Sequence, residues 1–335
     1  MRYAIWNNKG GVGKSFLSFM IATEVAKNNP TIPVIIADMC PQANLSEIIL
    51  GGNSKGSKRL EELLSSAERR TIGGYFDKRI ASPHQQTGDE SSFLVNAHEN
   101  NDALPQNLWL LAGDPSLELQ AQVINQISGQ TLPEAAWKNV HSWLLDLLIA
   151  CSNKLGNKTI TFIDCNPSFS AYTELAIIAA ERIIVPCSSD GSSARAISNI
   201  GSLLYGIGKG SHQSVGFPSK AKQFNLALPL IHSVVLNRST QYNLKASKAF
   251  GAMFDAIKQR VTALQKVAPA RFVGGVPAFH EIPDNHSVAI VCSHLGRPLY
   301  KIAPGKYPVH DETPQVNPEP LERYKKSLDD FRASL

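Results

Sequence analysis

Long apolar stretches are missing from this 335-residue sequence: no run approaches the ~18 residues that a membrane-spanning helix needs. Paired cysteines are missing too. The five present (Cys40, Cys151, Cys165, Cys187 and Cys292) are odd in number, scattered, and form no C-x-x-C pair. That argues against a disulfide framework and suits a reducing compartment. Neither sign of charge dominates. A net charge of +5 permits a polyanionic partner without demanding one. The opening residues, Met1 to Trp6, run straight into a glycine-rich turn, too short a lead for a signal peptide, so the expected location is cytoplasmic. No internal repeat is visible. What remains is an ordinary globular balance, 43% hydrophobic and 18% charged, in a chain long enough for one large α/β domain or two small ones.

The periodicity alternates between strand and helix. Residues 2–7 read as a short buried strand. Lys14–Lys27 carries apolar Phe16, Leu17, Met20, Ile21 and Val25 on a helical face and stops at Asn28-Asn29-Pro30. Pro33–Ala37 is a β-branched run ending in Asp38. Strand, helix and strand in this order make a βαβ unit and a parallel pair. Further strands are expected at Leu108–Leu111, Thr159–Ile163, Ile183–Val185 and Ser233–Leu236. Helices are expected around Arg59–Glu68, through most of Gln120–Ala150, and at Tyr172–Glu181. Ser82–Asn101 is polar and reads as a long loop. The expected fold is therefore α/β: three layers, with a mostly parallel twisted sheet covered by helices on both faces.

One segment carries chemistry. Lys9-Gly10-Gly11-Val12-Gly13-Lys14-Ser15 lies where the first strand turns into the first helix. Glycines let the backbone wrap closely enough for its N–H groups to face phosphate oxygens, and the helix N-terminus adds a positive dipole end. Lys14 is placed to reach β- and γ-phosphates, and the Ser15 hydroxyl to ligate Mg²⁺. The pattern G-x-x-x-x-G-K-S/T fails at its first glycine, which is Asn8, and a second lysine stands at Lys9.

At this point the sequence resembles the ParA/MinD ATPases with the deviant Walker A loop, which are P-loop NTPases. Asp38-Met39-Cys40-Pro41-Gln42-Ala43-Asn44 is similar to the family's switch I segment, D-x-D-P-Q-x-N. Leu108–Leu119 resembles its mid-chain strand and turn. Ile163-Asp164-Cys165-Asn166-Pro167-Ser168 resembles the Walker B strand and switch II, usually D-x-P-P-S. Ile184-Val185-Pro186 resembles the strand after it, and Val235-Leu236-Asn237-Arg238 the strand whose Asn reads adenine. The resemblance covers about residues 1–300.

It implies ATP and Mg²⁺ as ligands and a homodimer closed face to face by ATP, with Lys9 crossing to the partner's phosphates. Lys9, Gly10, Gly11, Val12, Gly13, Lys14, Ser15, Phe16, Asn237 and Pro277 are assigned to the nucleotide. Ser15, Asp38 and Asp164 are assigned to the metal, and Lys9, Lys14, Asp38 and Asp164 to catalysis. A carboxylate at a strand's C-terminal end faces the ligand side of such a sheet, and hard cations prefer oxygen donors. One departure matters: the second switch I aspartate, which positions the attacking water, is Cys40 here. A thiol cannot replace that carboxylate at neutral pH, so slow hydrolysis and persistent ATP dimers are expected. Asn166 stands where switch II usually has its first proline. Cys40, Cys165 and Cys187 each follow an expected strand and are open to a redox or metal reading, set against three small buried residues.

ParA-like members bind DNA without sequence preference and work with a ParB-like adaptor protein, which makes non-specific DNA, that adaptor and a nucleoid location the implied partners. Between Gln241 and Gly275, Lys245, Lys248, Lys258, Arg260, Lys266 and Arg271 face a single acid, Asp255, with no aromatic-rich nucleic-acid module. The implied cargo is a plasmid, a chromosome or another assembly. Residues 1–302 are read as the ATPase domain, 303–320 as a proline-rich linker, and 321–335 as a terminal helix with Leu321, Tyr324, Leu328, Phe331 and Leu335 on one stripe. MinD-like members use such a helix on membranes. Here its polar face mixes Glu322, Asp329 and Asp330 with Arg323, Lys325, Lys326 and Arg332, which favours docking on protein over a membrane. A non-hydrolysing nucleotide-binding scaffold is the further alternative. Related iron–sulfur reductases need a cysteine pair that is absent, and carboxylate-activating synthetases generally lack the Lys9 equivalent.

Overall fold

The computed structural model describes residues 1–188, 190–208, 216–239, 241–242, 245–246 and 248–335. The chain begins β1 (Arg2–Ile5), α1 (Lys14–Asn28), β2 (Val34–Met39), α2 (Asn44–Ile49), α3 (Gly52–Ser65), α4 (Ile72–Ala81), β3 (Val95–Asn96), α5 (Ala97–Asn100) and β4 (Leu108–Leu111). It continues α6 (Leu117–Ser128), α7 (Ala136–His141), α8 (Trp143–Lys154), β5 (Ile160–Cys165), α9 (Ala171–Ala179), β6 (Arg182–Cys187), α10 (Gly191–Tyr205), α11 (Phe217–Gln223) and β7 (Leu230–Ser239). It closes with β8 (Gln241–Tyr242), β9 (Lys245–Ala246), α12 (Lys248–Val267), β10 (Ala278–Pro283), α13 (His286–Leu295), β11 (Gly305–Lys306), β12 (Gln315–Val316) and α14 (Pro318–Arg332).

An eight-stranded sheet runs β10-β7-β6-β1-β5-β2-β4-β3, parallel throughout except for the edge strand β3. The strands are buried on both faces, and their side chains divide with period two. Tyr3, Ile5, Val34, Ile36 and Phe162 join one apolar cluster, while Ala4, Trp6, Ile35, Ala37 and Ile163 join the other. The first cluster is covered by α1, α2, α13 and α14; the second takes α4 and α6–α12. Helix α1 is buried nearly all round, from Leu17 to Ala26, because it lies between the sheet and α14.

Three departures from the expected elements have physical causes. Helix α3 starts at Gly52 rather than near Arg59. Its glycines mute the helical signal, yet they are needed: a Cβ at Gly52 would sit 2.1 Å from the His294 carbonyl oxygen, and one at Gly56 1.9 Å from that of Glu47. The expected loop 82–101 holds a 3₁₀ turn at Glu90–Phe93, then β3 and α5, which bury Phe93, Leu94, Val95 and Ala97 in an otherwise polar stretch. The expected linker 303–320 contains the antiparallel pair β11–β12, and α14 begins at Pro318, where a proline lacking its N–H is tolerated in the first turn. Leu321, Tyr324, Leu328 and Phe331 of α14 are buried in the same cluster as α1 and β10, so the tail packs into the body of the chain. No helix among the described residues is long and apolar enough to cross a membrane.

Candidate active site

Strand β1 ends at Ile5, and residues 6–13 turn across the C-terminal edge of the sheet into α1. Gly11 and Gly13 adopt φ of 76° and 78°, a region that strains any residue with a Cβ. A Cβ on Gly10 or Gly11 would meet nothing within 4 Å, so the space beside these two glycines is open. Two asparagines pin the loop. The Asn7 amide donates to the Pro186 carbonyl at 2.8 Å, and its oxygen accepts from the Lys9 N–H. The Asn237 amide donates to the carbonyls of Val12 at 2.9 Å and Gly13 at 3.4 Å. Asn237 thus grips the loop with the donors that the sequence reading reserved for adenine.

Lys14 begins α1 and is almost fully buried. Its ammonium donates to the Lys9 carbonyl at 2.9 Å and the Asn7 carbonyl at 3.3 Å. Burial lowers its pKa, and Asp164 works against that fall. Asp164 and Asp38 are register partners on β5 and β2, and both are fully buried. Asp38 accepts from the N–H and hydroxyl of Ser46 (2.9 and 2.7 Å) and from the Cys40 N–H. Asp164 accepts from the Ser18 hydroxyl at 3.2 Å, and its other oxygen has no hydrogen-bond partner among the described residues. Burial raises the pKa of both acids. For Asp164 the neighbouring Asp38 raises it further, against the lowering effect of the Ser15 hydroxyl and Lys14.

Two buried acids side by side, one with an orphaned oxygen, form a site whose electrostatics call for a cation. Asp164, Asp38 and the Ser15 hydroxyl are hard oxygen donors of the kind Mg²⁺ takes, so the residues fit that metal. Among the described residues no three His, Cys, Asp or Glu side chains group to hold a metal by themselves. That gives the metal reading of the three cysteines no support.

Cys40 follows β2, and Cys165, the last residue of β5, is the register partner of Met39. The Asn166 amide donates to the Cys40 sulfur at 3.6 Å. The two positions at which the switch-like segments depart from the pattern they resemble therefore touch, joining the turn after β2 to the turn after β5. Burial, then the neighbouring Asp38, push the Cys40 thiol up to about 11, so it is protonated at neutral pH. Lys9 turns onto β6's exit, where its ammonium pairs with the Asp190 carboxylate and donates to the Ser188 hydroxyl at 2.8 Å.

The structure gathers Lys9 to Phe16, Asp38, Asp164 and Asn237 at one edge, with Phe16 half-buried against the α1 cluster. Pro277 does not belong with them. It precedes β10 at the N-terminal end, whereas Ile282, at the other end, pairs with Asn237. Five residues of strand, about 16 Å at the usual rise, separate the two ends. The proline on the ligand side is Pro283. Both follow apolar residues, and the sequence offers no register to choose between them.

Four contributors lay outside the sequence reading. Ser46 clamps Asp38 and also accepts from the Gly113 N–H at 2.8 Å; Gly113 has no room for a Cβ, which would lie 2.9 Å from the Asp38 carboxyl carbon. Ser18 is one helical turn beyond Lys14, a spacing that was available as a signal. Ser188 and Asp190 come from the segment that opens α10, where an aspartate before a serine pair is an N-cap signature.

A protein-family model described as AAA domain (AAA_31) matches residues 2–214. No curated protein matches the chain. Among solved structures the chain is similar to apo McdA from Cyanothece, at 15% identity and TM-score 0.62 over 98% of each chain. It is similar to an ATP complex of a McdA variant from Cyanothece, at 15% identity and TM-score 0.59 over 98% of this chain and 96% of that one. It is also similar to a putative plasmid partition protein from Borrelia burgdorferi B31 bound to AMPPNP, at 17% identity and TM-score 0.55 over 100% of this chain and 98% of that one. At such identities the likeness to solved structures speaks for the fold.

Proposed function

The chain belongs to the AAA domain family, and from that premise we propose that it is a ParA/MinD-type, ATP-dependent dimerising switch that positions or segregates DNA or another cargo. The observation that carries this reading is the convergence at one sheet edge of an open glycine loop, Lys14, and the Asp38–Asp164 pair with its orphaned oxygen. ATP is the substrate and Mg²⁺ the metal. Loop N–H groups and Lys14 would bind the phosphates, and Ser15, Asp38 and Asp164 would hold the metal, which would supply charge neutralisation. Ser46 and Ser18 orient the two acids. Lys9 supplies the second cation, reaching the partner subunit's phosphates. Hydrolysis is slow, because the protonated Cys40 neither orients nor deprotonates water.

DNA is the proposed surface for the ATP-bound dimer, with a ParB-like adaptor as the second partner. Helix α12 buries Ile257, Val261 and Leu264 and turns Arg260 and Lys266 to solvent. Lys258 lies over the Phe254 ring and Arg271 over that of Tyr205, so these two are partly committed. The side chains of Lys245 and Lys248 fall outside the described residues. The burial of α14 on its own chain speaks against the membrane alternative.

Sedimentation or light scattering with and without Mg·ATP tests the switch, with random duplex DNA added at two salt concentrations. The reading expects twice the 36.4 kDa mass with Mg·ATP, and DNA binding that needs ATP and weakens with salt. A mass that ignores nucleotide would overturn it.

A further inference from the structure

Trp6 follows β1 directly, at the root of the phosphate loop, and none of the roles assigned above uses it. Its side chain is fully buried. A buried indole N–H needs an acceptor, and Trp6 Nε1 donates to the Asn166 carbonyl at 3.1 Å. The indole ring lies against Phe169, with centroids 5.5 Å apart, and Phe169 meets Phe217 edge-on at 5.4 Å. One hydrogen bond and one ring contact therefore hold the turn after β5 to the root of the loop.

Asn166 uses its side chain in other directions. Its amide nitrogen donates to the Cys40 sulfur at 3.6 Å, and its amide oxygen accepts from the N–H (2.9 Å) and the hydroxyl (2.8 Å) of Ser168. Backbone and side chain together join three segments far apart in sequence: the loop root at Trp6, the turn after β2 at Cys40, and the turn after β5 itself. A proline at 166 would still offer its carbonyl to Trp6, but it could neither donate to Cys40 nor accept from Ser168. The link to the turn after β2 thus depends on the asparagine.

We propose that Trp6 and Asn166 form a clasp, with Asn166 as a positioning residue, that makes the turns after β2 and β5 shift as one body fixed to the root of the phosphate loop. Displacing the turn after β5 alone would orphan the buried Trp6 N–H and take the donor from Cys40, so a ligand that draws in one turn has to draw in both. In its consequence for nucleotide the proposal rests on the switch reading above; the clasp itself does not.

Hydrogen exchange on the full chain, read by peptide mass in segments 40–46 and 165–170, tests it. Trp6→Phe keeps a ring against Phe169 and removes the indole N–H. It is expected to speed exchange about two- to ten-fold in both segments, the equilibrium factor of one ordinary hydrogen bond. The Trp6 N–H reaches only the backbone of residue 166 among the described residues, so an effect at 40–46 has to pass through the Asn166 side chain. That effect should vanish in an Asn166→Ala background, where the carbonyl remains and the amide is gone. An effect of Trp6→Phe confined to 165–170, or one at 40–46 that survives Asn166→Ala, would overturn the clasp. Should Trp6→Phe fail to fold or loosen the whole chain, Asn166→Ala alone decides: faster exchange at 40–46 supports the clasp, and unchanged exchange there refutes it. Mg·ATP added to the wild type should slow exchange in both segments over one concentration range. Binding that protects only one segment, or neither, would overturn the joint movement. Absence of Mg·ATP binding in a parallel titration would instead sink the nucleotide reading, and the clasp would be judged by the comparison without nucleotide.

Discussion

Cys40 and Asn166 replace two residues that the family pattern would fill with an aspartate and a proline, and they bond to each other. The pair satisfies a polar amide with a soft acceptor and puts a thiol where the resembled pattern has its second aspartate. Cys40→Asp should therefore raise ATP turnover at least about ten-fold, since a positioned general base is typically worth ~10²–10⁴. Phosphate release in a single turnover measures it. Cys40→Ser, which restores no base, should leave the rate where it is. A wild-type rate equal to that of Cys40→Asp would show that the thiol does not limit hydrolysis. At this scale the sequence was most informative where chemistry demands one residue type. The glycines, Lys14, Asp38 and Asp164 were legible because few residues can do their work. Ser46, Ser18 and Asp190 were not, because a serine or aspartate gains its role only from what the fold places beside it.

Among the elements, the turn after β4 shows how a buried charge holds parts together. Asp114 is fully buried and accepts from Arg69 through two nitrogens (2.9 and 2.6 Å), binding the α3–α4 junction to the start of α6. Asp114→Asn should cost roughly 2–4 kcal/mol in urea unfolding at pH 7, because it leaves Arg69 with only the more exposed Asp77. Burial raises the Asp114 pKa, but the bonds from Arg69, Thr71 and Ser116 outweigh it and the net shift is downward. A lowered folded-state pKa gives stability that is full above the unfolded carboxylate value and is lost as pH falls from there through the lower folded value. The gap between wild type and Asp114→Asn should accordingly be constant above about pH 5 and close below about pH 4. A gap that widened on acidification would contradict the assignment. Helix α14 makes the parallel case for apolar packing. Phe331→Ala should destabilise the whole chain by about 3–5 kcal/mol, and the wild-type protein should not float with liposomes. Its 3-4-3-4 apolar stripe was legible, but its partner was not: periodicity says that a face is buried, and only the fold says against what.

For the whole molecule, the alternation of strand and helix was enough to give a parallel sheet with helices on both faces. It was not enough to give strand order, and that order decides the site. Asp38 and Asp164 lie 126 residues apart and become neighbours because β5 inserts between β1 and β2. The same ordering puts β6 beside β1 and so brings Ser188 and Asp190 to Lys9. Pro277 stands apart from the site for the complementary reason: without strand register, nothing in the sequence says which end of β10 it occupies.

The proposed switch requires Mg·ATP in the loop between β1 and α1, and a calorimetric titration of Mg·ATP into the wild-type chain and into Lys14→Ala tests this most directly. Saturable binding at one site per chain is expected for the wild type, weakened at least about 100-fold when Mg²⁺ is withheld or Lys14 is replaced, as befits loss of a charge-assisted contact in a buried site. Binding that survives Lys14→Ala unchanged, or no binding by the wild type, would contradict it.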